Sequence, residues 1–320
     1  MIPGPQLKSP SESGERFKVP SSLLGIEEGT GEFVTSESNR PLANVLGIQV
    51  EALDMERTVE RVHEALRERK KGYVCMVNVH GVMEAQRNPR IAAAYADAMI
   101  TVPDGAPTVW VGRLQGFHWM KRVAGPDLML EVFQRKQFRS CTHFLLGGKE
   151  CVAEELSAKL RQRFPLTRIV GTYTPPFRSL SQSEEEALVA KIFELKPDII
   201  WVGISTPKQE DFMRRYLPRF DTVLMFGVGA AFDFHTGRIK DCPEWIKRAG
   251  LQWIHRLMQD PQHLWWRYLR NNPAFIWQII LQLTGLRKYP ASRAPESGLA
   301  DAPLGGDRAP GLCTGDSGHP

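Results

Sequence analysis

The sequence predicts an α/β fold around a mostly parallel sheet, and three observations carry that expectation. Short, near-continuously apolar runs alternate with segments whose apolar residues recur every three or four positions. That is the pattern of strands buried on both faces with amphipathic helices between them. The apolar runs end in turns containing Gly, Pro, Asn or Asp, as strand-to-helix connections do. After about residue 245 the alternation stops and a basic, Trp-rich segment begins.

Taken in order, residues 45–51 read as a strand and 55–69 as a helix with Val59, Val62 and Leu66 on one face. Residues 73–79 form a buried strand, 81–88 begin a helix, 91–98 are helical, and 98–102 form a short strand ending at Pro103-Asp104-Gly105. A strand at 143–146, the turn Gly147-Gly148, a helix at 151–164, a strand at 168–173 and a helix at 183–195 follow. A strand at 199–202, a helix at 208–216 and a strand at 222–226 complete a Rossmann-like core. From 245 to 289 no β pattern is visible. That stretch holds five of the eight tryptophans (Trp245, Trp253, Trp265, Trp266 and Trp277) and seven basic residues against one acid, Asp260, and reads as a helical appendage.

The chain of 320 residues divides into a tail at 1–40, a core at 41–244, the appendage at 245–289 and a second tail at 290–320. The core reads as two closely packed lobes, about 41–140 and 141–244. Both tails are rich in Pro, Gly and small or charged residues, too poor in apolar surface to offset their ordering entropy, and are expected to be disordered. A net charge of +5 and a pI near 9.0 do not call for a nucleic acid, and no reader motif is present. Five cysteines, an odd number without C-x-x-C spacing, argue against a disulfide framework or a structural zinc. The first residues lack the apolar stretch of a signal peptide, and the longest apolar run, 274–283, is interrupted by Gln278 and Gln282. A chain kept on the cytoplasmic side is expected.

Ligands of open parallel sheets bind beyond the carboxyl ends of the strands. Four such ends carry polar residues or glycines: Asn78-Val79-His80-Gly81, Pro103-Asp104-Gly105, the Gly203 to Glu210 segment with Gln209, and Gly227-Val228-Gly229 leading to Asp233. Gly147 opens a further turn of this kind. Glycines there admit a ligand to the backbone, and helix N-termini favour phosphate. Neither G-x-G-x-x-G nor a P-loop is present. Asp104 is either a turn residue or a general base for an attacking hydroxyl. Asn78 and Gln209 either orient a ligand or satisfy backbone groups, and His80 is a base or a polar loop residue. No metal-ligand cluster and no D-x-D pair supports a metal, so no cofactor is expected. The basic, Trp-rich appendage suits an anionic membrane surface, or else a helical hairpin packed on the core.

These segments, together with Arg122-Val123-Ala124-Gly125-Pro126-Asp127-Leu128, Pro243-Glu244-Trp245, Gly250-Leu251-Gln252-Trp253, Arg256-Leu257 and Arg267-Tyr268, resemble in order the WecG/TagA/CpsF family of bacterial glycosyltransferases (glycosyltransferase family 26). The resemblance covers about 45–285. It implies an inverting, metal-independent hexosyltransferase that moves an N-acetylmannosamine-type or related sugar from a UDP-sugar to a polyprenyl-diphosphate-linked sugar, in cell-surface or exopolysaccharide biosynthesis. By the resemblance Asp104 is the base, with Asn78 and Gln209 lining its pocket. Asp233 and the glycine turn before it, Gly227 and Gly229, hold the nucleotide, to which the strand-end reading adds Gly147 and Gly203, and Arg256 and Arg267 in the lid neutralise the diphosphate. It also implies peripheral attachment to the inner face of the cytoplasmic membrane and leaves a homo-oligomer open.

The chain departs from the family pattern at Met76, where some members have Thr, at Asp241-Cys242, Gln252 and His255, and at His263 and Trp266, where Arg is common. These departures point to an altered sugar or acceptor, or to reduced activity. Two other readings stand beside the transferase. One is a non-catalytic protein that binds sugar-nucleotide or polyprenyl carrier, and the other is an oxidoreductase or methyltransferase on a similar sheet.

Overall fold

Strand formation begins with a surprise at residues 45–51. The sequence pattern suggested one strand, but the computed structural model, which describes residues 40–243, 245–246 and 250–291, has an antiparallel hairpin of β1 (Leu42–Val45) and β2 (Ile48–Glu51). Leu46 and Gly47 turn the chain, both at positive φ (52° and 86°), which gives the twist that two-residue hairpins need. Asn44 Oδ1 accepts from the Gly47 N–H at 2.7 Å. A leucine in the left-handed region is no turn signal, which is why the pattern ran straight through it. The expected tails fall outside the described residues except for residues 40, 290 and 291, as do Cys313, Lys247 and Arg248.

Helix α1 (Met55–Arg67) follows, capped by Asp54, whose side chain accepts from the Arg57 N–H. The chain then alternates: β3 (Gly72–Val77), α2 (Val79–Arg87), α3 (Pro89–Ala96), β4 (Ile100–Pro103), α4 (Ala106–Leu114) and α5 (Gly125–Gln134). Next come β5 (Thr142–Gly147), α6 (Val152–Arg163), β6 (Arg168–Tyr173), α7 (Gln182–Leu195) and β7 (Ile199–Gly203). The core ends with α8 (Lys208–Tyr216), β8 (Leu224–Gly227) and α9 (Ala231–Thr236). Two further helices, α10 (Gln252–Gln259) and α11 (Pro261–Leu283), form the appendage. Helices α4 and α5 were not legible in the sequence pattern.

Strands β3 to β8 make one six-stranded sheet in the order β4–β3–β8–β7–β5–β6, and every pairing is parallel. Successive side chains of a strand point to opposite faces. Tyr73, Cys75, Val77, Leu146, Val202 and Met225 therefore meet α2, α3, α8 and the hairpin in one core. Val74, Met76, Leu145, Trp201, Leu224 and Phe226 meet α1, α5, α6 and α9 in the other. Helices thus cover both faces of the sheet, a Rossmann-like arrangement. Pro103 closes β4, an edge strand bonded only to β3 within this sheet, where a missing N–H costs no ladder bond.

The second half of α11 belongs to the first of these cores through Phe275 and Ile279. It is tied to the hairpin by Gln282, whose Nε2 donates to the Asn44 carbonyl (2.7 Å) and whose Oε1 accepts from the Leu46 N–H (2.9 Å). Pro273 lies inside the helix and cannot donate to the preceding turn. The residues before it overhang the carboxyl ends of the strands, with Trp265 and Trp266 exposed.

Candidate active site

A cavity of about 480 Å³ opens where four strands end: after β3, β4, β7 and β8. This volume is within the range of small-molecule sites. Asn78, Asp104, Gln209, Gly227 and Gly229 line its sheet side, and Arg256 and Arg267 its appendage side. Met76, Arg122, Gln252 and Trp253 complete the wall around them.

Asp104 is set by the end of β4. Its N–H donates to the Val77 carbonyl at 2.9 Å, continuing the β3–β4 pairing by one residue. Gly105 then takes φ 109°, a conformation that L side chains rarely adopt, and turns the chain into α4. Arg122 Nε lies 3.5 Å from Asp104 Oδ1, with both side chains about one-quarter exposed. Burial pushes the Asp104 carboxyl above its ordinary value. Arg122, Arg256 and a hydrogen bond from Asn78 pull it back down, while Asp127 adds to the rise. Asn78 does two things at once: its Oδ1 caps α2 by accepting from the Gly81 N–H (3.0 Å), and its amide donates to Asp104. Sequence reasoning quoted Arg122 as part of a recurring block but gave it no role. Its distance along the chain from Asp104 hid the pairing.

Gln209, in the first turn of α8, is 2% exposed and its amide is committed inside the protein. Nε2 donates to the Gly227 carbonyl (3.1 Å) and to Glu210 Oε1 (3.1 Å), and Oε1 accepts from the Gly229 N–H (2.9 Å). Of the two roles open to it from sequence, the geometry displays the satisfaction of backbone groups, and through them the shape of the loop after β8. His80 likewise is a link. Its Nδ1 faces Asn271 Nδ2 of α11 at 3.1 Å, and its ring hydrogen-bonds the Thr206 backbone. Burial first, then Arg267, pushes its pKa down to about 4, so it is neutral at ordinary pH. Asn271 also accepts from Arg87 Nη2 at 2.8 Å.

Three residues expected to hold a nucleotide do not line the cavity. Gly147 and Gly203 face each other: a Cβ on Gly147 would come within 2.6 Å of the Gly203 backbone, and one on Gly203 within 3.0 Å of the Phe232 ring. Their small size serves strand packing and the seat of α9. Asp233 lies in the first turn of α9, with its carbonyl accepting from Ile239 N–H at 3.1 Å, while its neighbours Phe234 and His235 reach the cavity. Gly227 and Gly229 do line it, and Gly229 needs its positive φ of 57°.

On the appendage side, the Arg256 guanidinium lies 5.6 Å from the centre of the Phe234 ring and that of Arg267 5.5 Å from Tyr268. Arg267 Nε is buried without a hydrogen-bond partner. Both cations line the same cavity as Asp104, and Arg256 is near enough to act on its carboxyl. Of the departures noted in sequence, Met76, Asp241 and Gln252 line the cavity. His255 is turned to Gln259 (2.9 Å), and Trp266 is exposed. The side chain of His263 lies outside the described residues. Among the described residues no three His, Cys, Asp or Glu side chains gather as a metal site would require.

A carboxylate paired with a cation, in one cavity with two further arginines and a loop of glycines, is equipped to activate a hydroxyl and to stabilise a departing anion. Comparison with known proteins leads the same way. Over 235 residues, 72% of this chain and 89% of the relative, it is 27% identical to the N-acetylglucosaminyldiphosphoundecaprenol N-acetyl-beta-D-mannosaminyltransferase of Bacillus spizizenii. To the protein of the same name from Bacillus subtilis it is 30% identical over 201 residues, 59% of this chain and 75% of that one. The profile of the family described as "Glycosyl transferase WecG/TagA/CpsF family" matches residues 43–289. The chain belongs to the WecG/TagA/CpsF family of glycosyl transferases.

Proposed function

We propose that the protein transfers an N-acetylmannosamine-type sugar from a UDP-sugar to a polyprenyl-diphosphate-linked N-acetylglucosamine, with inversion and without a metal. The observation that carries this reading is the gathering of Asp104, Arg256 and Arg267 on one cavity at the strand ends. The names of the two Bacillus relatives supply the sugar and acceptor class. Asp104 takes the proton of the acceptor hydroxyl as its oxygen attacks the anomeric carbon, and the bond from that carbon to the UDP phosphate oxygen breaks. The electron pair leaves on the diphosphate, where fixed cations are worth most because charge develops there. Arg122 opposes the upward push that burial gives the carboxyl of the base.

The acceptor's lipid anchor requires the enzyme to meet a membrane. No described helix is long and apolar enough to cross one. The appendage instead exposes Trp265, Trp266, Leu269, Ile276, Trp277 and Ile280, with Arg270 and Lys288 nearby in sequence. Such a surface suits peripheral binding at the inner face of the cytoplasmic membrane. The test is UDP release from a panel of UDP-N-acetylhexosamines and their uronic acids, with a polyprenyl-diphosphate-GlcNAc analogue and EDTA. Acceptor-dependent release with one donor is expected. UDP binding without release for any donor would overturn the catalytic reading, and release abolished by EDTA would overturn metal independence.

A further inference from the structure

Directly behind Gln209 lies Glu210, fully buried. Its Oε1 accepts from three side chains on separate parts of the fold: Thr206 Oγ1 (2.9 Å) in the loop after β7, Gln209 Nε2 (3.1 Å) on α8, and the Tyr95 hydroxyl (3.4 Å) on α3. Thr206 Oγ1 also faces Gln209 Nε2 at 3.3 Å. Tyr95 is wedged in turn against α2, where a Cβ on Gly81 would sit 2.0 Å from its hydroxyl oxygen. Thr206, Gln209, Gly227 and Gly229 all line the cavity, and Glu210 does not. Glu210 thus stands one layer behind the wall, joined to it by hydrogen bonds.

The consequence is a single orientation for the Gln209 amide. Reversing it would set the NH₂ group against the Gly229 N–H and the amide oxygen against both the Gly227 carbonyl and Glu210, replacing three favourable contacts by three repulsive ones. In its observed orientation the oxygen holds the Gly229 N–H, and the nitrogen holds the Gly227 carbonyl on the other side of Val228. We propose that Glu210 is a positioning residue for transfer: by fixing the Gln209 amide and the Thr206 hydroxyl it sets the Gly227–Gly229 loop in the shape that receives the donor's nucleotide. The part of this proposal that concerns the nucleotide rests on the functional reading above. The part that concerns the amide does not.

The role needs an acceptor oxygen at Oε1 and no negative charge. Burial pushes the Glu210 carboxyl upward, against hydrogen bonds from Gln209, Thr206 and Tyr95, and Oε2 is buried with no hydrogen-bond partner. A glutamine has the same shape and keeps the acceptor, whereas alanine removes it.

Three variants of the full chain test the idea: Glu210→Gln, Glu210→Ala and Thr206→Val. The ligand-free readout is hydrogen exchange of the Gln209 side-chain amide by NMR. It should be protected in the wild type and Glu210→Gln, and at least about tenfold faster in Glu210→Ala. The ligand readouts are UDP affinity by calorimetry and transfer kinetics. Glu210→Ala should weaken UDP binding and lower kcat/KM by about tenfold or more, and Glu210→Gln should restore both to within about threefold of wild type. Should Glu210→Ala fail to fold, Thr206→Val carries the same arms, with a smaller loss in the same direction expected. Unchanged exchange and binding in Glu210→Ala, or in Thr206→Val where Glu210→Ala does not fold, would overturn the proposal. A Glu210→Gln protein as impaired as Glu210→Ala would overturn it too, since the charge would then be what matters. If the wild type does not bind UDP, the functional reading fails, and the exchange arm still decides whether Glu210 orients Gln209.

Discussion

Trp201 and Trp266 place the same side chain in opposite circumstances. Trp201, on β7, is fully buried. Its ring lies 4.6 Å from Phe226 and 5.7 Å from Phe133, and its Nε1–H donates to His143 Nδ1 at 3.2 Å. Trp266, in the first half of α11, is 58% exposed, beside Trp265 at 5.5 Å. In the sheet, apolar area has already been removed from water and stabilises the fold. In the appendage it has not, and so remains available to another surface. The two walls of the cavity inherit this difference. The sheet wall is held by buried hydrogen bonds, while the appendage wall brings cations and aromatic rings on α10 and the first half of α11.

The largest expected effect is at the sheet wall. Asp104→Asn keeps the side chain's size and removes the base, so transfer should fall by about 10²–10⁴-fold with UDP affinity and fold retained. Turnover close to wild type would take Asp104 out of the role. The next effect is on stability. Trp201→Ala should destabilise by about 3–5 kcal/mol, whereas Trp266→Ala should stay within about 0.5 kcal/mol, both read by urea unfolding. Equal losses would mean that the appendage tryptophans are core residues after all. A third measurement asks what covers that surface. The double variant Trp265→Ala, Trp266→Ala should partition into anionic vesicles about tenfold more weakly than wild type. It should also lose more activity on vesicle-borne acceptor than on a short-chain one. Unaltered partition would remove this face from membrane binding.

What the sequence disclosed and what it hid follow the same physical line. The run at 199–202 could be read as a strand because a parallel strand covered on both faces must be apolar at every position, and Ile199, Ile200, Trp201 and Val202 are all fully buried. Asn78, Asp104, Gln209, Gly227 and Gly229 could be gathered in advance because they follow strands whose carboxyl ends share one edge of a parallel sheet. Gly147 and Gly203 carried the same signal for a different reason. A glycine records that something approaches its backbone closely, and here the neighbours are the adjacent strand for Gly147 and the Phe232 ring of α9 for Gly203, not a ligand. Glu210 and Arg122 were visible as letters, but their partners are set by tertiary packing. For Arg122 that means the path of the chain past α4, a helix with no clear periodic pattern. The role of His80 depended on Asn271, which reaches it from α11 at the far end of the folded region.

The smallest effect is the most diagnostic, because its direction follows from the causes acting on Asp104. As a base, Asp104 must be ionised, so transfer should decline as the pH falls through its pKa. Burial raises that pKa and Arg122 is the first of the groups that oppose the rise. Arg122→Gln removes an opposing charge, so the acid limb of the kcat/KM profile should move to higher pH, with kcat/KM recovering toward a plateau above it. The same change acts on stability. A carboxyl whose folded-state pKa lies above its unfolded value favours the fold below the unfolded pKa and loses that contribution as pH rises through the folded one. Raising it further makes the loss at neutral pH larger. Arg122→Gln should therefore lower the melting temperature more at neutral pH than in acid, where Asp104 is protonated in both proteins. An acid limb that stays in place while the melting temperature shifts this way would assign the limb to another group and leave Asp104 with a purely electrostatic part in the site.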